Sequence, residues 1–182
     1  MEPLPVFRYH PDPVATGAIV ENPDQPCLGC NRIRGYIYMG PVYTEKNFIL
    51  DEHLCPWCIA DGTAARLFGA TFGDTGTLDA VSDEVRKEIA ERTPSFMAWQ
   101  QEQWLGCCGD AAAFLGVVGK KELKRDFPDA VKAVKRYLMS EYDLEKDEAE
   151  EFFDGLSKEG EPSAYLFRCL KCGKYLAYAD QA

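Results

Sequence analysis

Eight cysteines carry the first chemical signal in this chain. Six of them form three pairs of identical spacing: Cys27-Leu-Gly-Cys30, Cys55-Pro-Trp-Cys58 and Cys169-Leu-Lys-Cys172. Two residues between thiolates let one tight turn present both sulfurs to a tetrahedral ion at about 2.3 Å, as structural zinc requires. Gly29 and Gly173 supply the backbone freedom such knuckles use. One such pair alone is weak, since two buried thiols reach that spacing by coincidence. Three pairs favour metal. Cys27, Cys30, Cys55 and Cys58 are therefore assigned to one zinc site, across a 24-residue gap between Cys30 and Cys55. That gap is somewhat longer than the usual zinc-ribbon loop of about 15–20 residues.

The pair Cys169/Cys172 then lacks two ligands, and Cys107 and Cys108 are the thiols left to supply them. Two zinc ions per chain are expected. Adjacent side chains diverge, and a disulfide between neighbours is strained. Two other arrangements stay open. One of Cys107 and Cys108 ligates, with water or Asp110 completing the site, or Cys27/Cys30 meets Cys169/Cys172 in a crossed pairing.

Cys55-Pro-Trp-Cys58 also looks like the Cys-Pro-aromatic-Cys of glutaredoxins, where a helix N-terminus activates the first thiolate. No βαβ unit precedes it, so a thiol-disulfide oxidoreductase is the runner-up reading. The two histidines offer little for catalysis. His10 belongs to a Pro-rich arm and is expected to be exposed. His53 is expected to be a surface residue, or a hydrogen-bond donor to a thiolate. No Gly-rich phosphate loop, nucleophile elbow or HExxH occurs. A non-enzymatic protein is expected.

The 182 residues suit one domain, with lobes at 1–69, 70–160 and 161–182. Thirty Asp and Glu against 20 Lys and Arg give a net charge of −10, which disfavours general nucleic-acid binding and welcomes a cationic protein partner. The N-terminus "MEPLPVFRYHPDP" lacks the basic and apolar regions of a signal peptide. No run of eighteen apolar residues suggests membrane insertion. A cytoplasmic protein is expected, where spaced cysteine pairs bind metal more often than they form disulfides.

The elements that must position these thiols read as α+β, with zinc-knuckle and zinc-ribbon β elements near both termini and a helical middle. Residues 1–26, with six prolines, read as an extended arm on the surface or a sheet edge. "GYIYMGPVYTEKNFIL" reads as a hairpin broken at Gly40-Pro41. Helices are expected within 59–69, over 79–92, over 95–105, from Asp110 through Leu115, over 128–142 and over 145–155. "YLFRCLKCGKYLAYA" reads as strand, knuckle, strand.

Two surfaces are candidates for a partner. Trp99 and Trp104 flank the polar run Gln100, Gln101, Glu102 and Gln103. Core packing accounts for the aromatics more readily than for the polar run. Residues 120–136 hold seven Lys/Arg and three Asp/Glu, net +4, and 141–154 hold eight Asp/Glu and one Lys, net −7. These read as two solvated helices; the sharper reading makes Glu148, Glu150 and Glu151 part of an acidic docking face.

"FRYHPDPVATGAI", "EHLCPWCIADGTAA", "ERTPSFMAWQQEQWL" and "YLFRCLKCGKYL" resemble the CbrC-like family of bacterial proteins, over nearly the whole chain except 120–160. The resemblance implies a role in tolerance to an E-group colicin, and so a toxin-tolerance or immunity protein. The family pattern has His-Cys where this chain has Cys107-Cys108, a ligand-for-ligand exchange, and a further Cys where it has Ala112. No catalytic residue transfers. The partner expected is a basic toxin domain, the alternative a zinc-stabilised regulatory adaptor.

Overall fold

The computed structural model describes residues 2–45 and 48–182. The first lobe begins with strands β1 (Ile19–Pro26) and β2 (Ile33–Tyr38), paired antiparallel from Ile19↔Tyr38 to Pro26↔Ile33. Helices α1 (Pro56–Ala60), α2 (Thr63–Phe68) and α3 (Asp83–Arg92) follow. Tyr38, Leu54, Ile59 and Phe72 close the core of this lobe, which also contains Cys27, Cys55 and Cys58. The short strand β3 (Gly106–Cys107) then turns into β4 (Asp110–Val118). Helices α4 (Lys120–Arg125), α5 (Val131–Glu141) and α6 (Lys146–Gly155) precede β5 (Ser163–Cys169) and β6 (Tyr175–Asp180). The sheet order is β3-β4-β5-β6, antiparallel throughout.

This sheet is covered on both faces, and side-chain alternation along β5 shows how. Tyr165 and Phe167 enter an aromatic core with Phe96, Trp104, Phe114 and Tyr178. Ala164 and Leu166 face the helical layer of Leu123, Val134, Leu138 and Phe153. In the aromatic core Phe96 stacks on Phe114 at 3.8 Å and meets Trp104 at 5.6 Å. Each ring buried from water contributes about 1.5–3 kcal/mol. The fold is thus mixed α+β, with cysteine-bearing turns in the β regions near both termini and helices between.

Several expected elements take another form. Residues 95–105 are not helical. Their backbone N–H groups go to side chains of the sheet instead: Trp99 to the Tyr165 hydroxyl, Gln100 to Asp180 Oδ2 and Gln103 to the Tyr178 hydroxyl. These acceptors replace helical carbonyls and let single aromatics insert into the core. Asp110 starts a strand rather than capping a helix. The apolar run 111–118 is buried on both faces, where periodicity cannot separate strand from helix.

The hairpin expected over 35–50 is also different: β2 pairs with β1, and after Gly40 only the bridge Tyr43↔Thr71 forms among the described residues. Lys46 and Asn47 of that stretch lie outside the described residues. Gly40 is required because a Cβ there would meet the Tyr38 hydroxyl at 2.5 Å.

The Pro-rich arm is in part a strand, its residues 19–26 forming β1, and in part buried rather than laid on the surface. Phe7, Tyr9 and His10 are buried, and the Tyr9 carbonyl accepts from Phe114 N. His10 is fully enclosed rather than exposed. Its Nδ1 donates to the Pro94 carbonyl at 2.7 Å, and Nε2 lies 2.7 Å from the Thr16 hydroxyl oxygen. Helix α3 begins at Asp83, capped by Ser82. The helix expected over 128–142 opens with a 3₁₀ turn at Pro128–Ala130 before α5.

Candidate metal centres

The eight cysteines form two groups of four, each with its sulfurs within 4.8 Å of one another. The first is Cys27, Cys30, Cys55 and Cys58, and the second is Cys107, Cys108, Cys169 and Cys172. The crossed pairing is therefore not formed. A tetrahedron with sulfur about 2.3 Å from its centre has edges of about 3.8 Å. Cys30 Sγ lies 3.8 Å from Cys55 Sγ, and Cys107 Sγ lies 3.6 Å from Cys108 Sγ and 3.8 Å from Cys172 Sγ. These distances are far from the roughly 2.05 Å of a disulfide. All eight thiols are free, and the donor sets fit a tetrahedral thiophilic ion.

Two of the three pairs are the same turn. Between β1 and β2, Asn31 N donates to the Cys27 carbonyl at 2.7 Å and Cys27 N to the Arg32 carbonyl at 3.0 Å. Between β5 and β6, Gly173 N donates to the Cys169 carbonyl at 3.0 Å and Cys169 N to the Lys174 carbonyl at 2.8 Å. Asn31 (φ 53°) and Gly173 (φ 73°) occupy matching left-handed positions just after the second cysteine. Glycine adopts that region without strain and asparagine tolerates it.

The third pair is built otherwise. Cys55 caps α1, Pro56 begins it where a missing N–H leaves no helical bond unmade, and Cys58 lies one turn on. Leu28 N donates to the His53 carbonyl at 2.9 Å, joining knuckle to helix. The His53 ring donates through Nδ1 to the Asp51 carbonyl at 2.5 Å rather than to a thiolate.

Two backbone N–H groups, of Gly29 and Cys55, point at Cys27 Sγ from 3.3 and 3.2 Å. A Cβ on Gly29 would lie 3.0 Å from Cys58 Sγ, so the sulfur cage closes against bare backbone. Hydrogen bonds from the Cys55 and Cys58 thiols, assisted by the backbone N–H groups of Cys55 and Cys30, hold the Cys27 thiol far below its ordinary range. Cys55, donating to Cys27, is pushed up to about 12, and Cys58, donating to both, is pushed up as well. Four clustered thiols with backbone N–H groups aimed at one of them make a site that a cation completes by displacing the thiol protons.

Cys107 and Cys108 belong to a two-residue hairpin. Cys107 pairs with Asp110 across β3 and β4, and the turn residues Cys108 and Gly109 have φ of 56° and 68°. Positive φ at both positions is the type I′ turn, which favours Asn-Gly. The left-handed backbone at Cys108 turns its side chain toward that of Cys107, which explains how neighbours reach one site. Ala112↔Cys169 pairing carries the hairpin tip to the β5–β6 knuckle. Cys172 N donates to Cys169 Sγ at 3.4 Å, which holds Cys169 down to about 6. Removal from water and hydrogen bonds among the four push Cys107 up to about 12. Asp110 is not a ligand. Its carboxylate accepts from Arg8 at 2.6 Å and from the Tyr9 hydroxyl at 2.8 Å, anchoring the hairpin base.

Likeness to known proteins settles the ancestry. The family described as "Uncharacterised protein family (UPF0167)" matches residues 4–181. The chain belongs to the UPF0167 family. It is 52% identical to the UPF0167 protein Mb2317 of Mycobacterium bovis over 181 residues, covering 98% of this chain and 94% of the relative. It is 52% identical to the UPF0167 protein MT2352 of Mycobacterium tuberculosis over 181 residues, with 98% and 94% covered. The UPF0167 protein PA1536 of Pseudomonas aeruginosa is 40% identical over 174 residues, 94% of each chain. No solved structure matches.

The structure divides the expected UPF0167 partner surface. Trp99 is 46% exposed, with its Nε1 on Ser163 Oγ at 3.1 Å, and Gln100 and Gln101 are exposed. Glu102 and Trp104 are buried and so removed from that surface. Glu102 accepts from the Tyr43 hydroxyl at 2.8 Å, and Trp104 Nε1 donates to the Ala112 carbonyl at 3.0 Å. Glu148, Glu150 and Glu151 are exposed on α6. Glu148 accepts from Glu145 N at 2.9 Å as an N-terminal cap, and Glu150 pairs with Lys135. The structure contains no helix long and apolar enough to cross a membrane among the described residues.

Proposed function

We propose that this UPF0167 protein is a non-enzymatic binding module held in shape by two zinc ions. The observation that carries the reading is the pair of four-sulfur clusters, each with its sulfurs within 4.8 Å of one another and with separations of 3.6–3.8 Å between Cys30 and Cys55, Cys107 and Cys108, and Cys107 and Cys172. Zinc is favoured because it takes four thiolates in a tetrahedron without redox chemistry, which suits a closed structural site. Cys27, Cys30, Cys55 and Cys58 hold one ion, and Cys107, Cys108, Cys169 and Cys172 the other.

The setting of Cys55-Pro-Trp-Cys58 weighs against dithiol exchange. Cys30 Sγ lies 3.8 Å from Cys55 Sγ and Cys27 joins the same cluster, so the pair has no open side for a substrate disulfide. Cys55 and Cys58 are also buried.

The resemblance to colicin-tolerance proteins and the acidic α6 support action through contact with a basic toxin domain in the cytoplasm. Long-range attraction to a −10 chain speeds such association, and the exposed Trp99 offers an apolar anchor. A basic nuclease-toxin domain immobilised on a sensor surface tests this. Binding should be salt-sensitive, slower to form with Glu151→Lys and weaker with Trp99→Ala. Absence of binding at low ionic strength, or indifference to both variants, defeats the partner reading and leaves the zinc-stabilised regulatory adaptor.

A further inference from the structure

Two sets of cations stand out in and beside the helical region. Lys120 and Lys135 pair with Asp154 and Glu150 of α6, and Lys124 and Lys135 lie 5.6 and 4.7 Å from the Phe153 ring centroid. The second set is arranged differently. Lys132 and Arg136 on α5 meet Arg168 of β5 and Lys174 of the knuckle around one groove of about 420 Å³. Among the described residues, none of these four cations forms an ion pair with a carboxylate. Asp129 is the groove's acidic residue, and Tyr175 adds an aromatic ring whose centroid lies 5.8 Å from the Arg168 guanidinium.

This concentration runs against the composition, because acids outnumber bases by 30 to 20. Four like charges around one concavity repel each other and focus a positive field there. The knuckle turn fixes part of their spacing: its hydrogen bonds, Cys169 N to Lys174 O at 2.8 Å and Gly173 N to Cys169 O at 3.0 Å, hold Arg168 and Lys174 on either side. An anion with several oxygens satisfies such a set, and arginine forks match phosphate in pairs of hydrogen bonds. The volume falls in the range of small-ligand clefts, about 300–1,000 Å³. The net charge of −10 over the whole chain opposes a long polyanion, so the ligand is compact.

We infer that this groove binds a small di- or triphosphate group, free or carried by a nucleotide whose base lies near Tyr175. Calorimetric titration of the purified full chain with ATP and with inorganic pyrophosphate, at low ionic strength, tests it. Zinc content is read before and after, so that metal stripping is not mistaken for binding.

Saturable one-to-one binding is expected. Tighter binding of ATP than of pyrophosphate assigns the source to nucleotides, and equal binding assigns it to inorganic phosphates. Arg136→Ala on α5 and Lys174→Ala on the knuckle, both exposed, should each weaken binding about 10- to 100-fold without shifting the melting curve. Lys87→Ala on α3 should leave it unchanged. The inference is overturned if neither probe saturates or if Lys87→Ala weakens binding as much. Tighter binding of a single-stranded oligonucleotide than of ATP also overturns it, because the ligand is then a long polyanion rather than a compact one.

Discussion

The two four-cysteine clusters share a ligand set and a knuckle turn, but they occupy opposite settings. In the first, Cys27, Cys55 and Cys58 are buried and count among the core residues of the N-terminal lobe. In the second, Cys108 and Cys172 are exposed and only Cys169 is buried. The first cluster joins a strand turn to a helix and so replaces part of a hydrophobic core. The second joins two turns at the edge of a sheet already held by aromatic packing. The same coordination chemistry is thus expected to dominate folding in one lobe and to trim a sheet edge in the other.

The largest effect should follow from breaking the first cluster. Structural zinc contributes about 10–16 kcal/mol in small peptides, comparable to a whole domain's net stability of about 5–15 kcal/mol. Cys27→Ser or Cys58→Ser should unfold residues of the first lobe, read as loss of amide-exchange protection over β1, β2 and α1. Native protection in both variants would remove the contrast from one side.

The second cluster should yield next, and more gently. Chelator added to the native protein should withdraw its ion first, in two resolved phases of zinc release. Cys172→Ser should abolish the fast phase while the aromatic core keeps its near-ultraviolet circular dichroism. One phase only, or a fast phase that survives Cys172→Ser, would show the two clusters to be equally guarded.

A third effect belongs to neither cluster. Burial drops the His10 imidazole to about 4 from about 6.5. Between those values the unfolded chain binds more protons than the folded one, so stability is full above about pH 6.5 and declines as pH falls toward 4. The decline amounts to about 3 kcal/mol at zinc saturation. His10→Asn should remove that part of the slope, measured as the difference between wild-type and variant denaturant curves. Identical slopes would mean that His10 is hydrated.

The smallest effect concerns the acidic helix. Glu148→Ala removes an N-terminal cap and should cost about 1 kcal/mol. Glu151→Ala, for which the structure gives no cap or ion pair, should shift the melting temperature negligibly. Equal shifts would deny the cap its role.

The cluster membership was legible because ligand chemistry depends on residue type and local spacing, and both survive in the sequence. Counting thiols left Cys107 and Cys108 as partners of Cys169 and Cys172. The type I′ turn that makes neighbours converge was harder to see, since Cys-Gly stands where Asn-Gly would announce it. Helix α5 was legible from its apolar stripe and α6 from the glycine that ends it, Gly155. Strand β4 was not, because Ala111 through Phe114 are buried on both faces and carry no period. Residues 95–105 looked helical because their aromatics are spaced like a stripe; the tyrosine and aspartate acceptors that hold them extended lie more than sixty residues away. His10 was misplaced for the same reason, its partner Pro94 being 84 residues distant.

Zinc-edge X-ray absorption on protein purified under reducing conditions, together with metal content, tests the central claim most directly. The account predicts two zinc ions per chain, each with four sulfurs at about 2.3 Å and no nitrogen or oxygen neighbours. Absence of zinc, or a first shell with nitrogen or oxygen in place of sulfur, would contradict it.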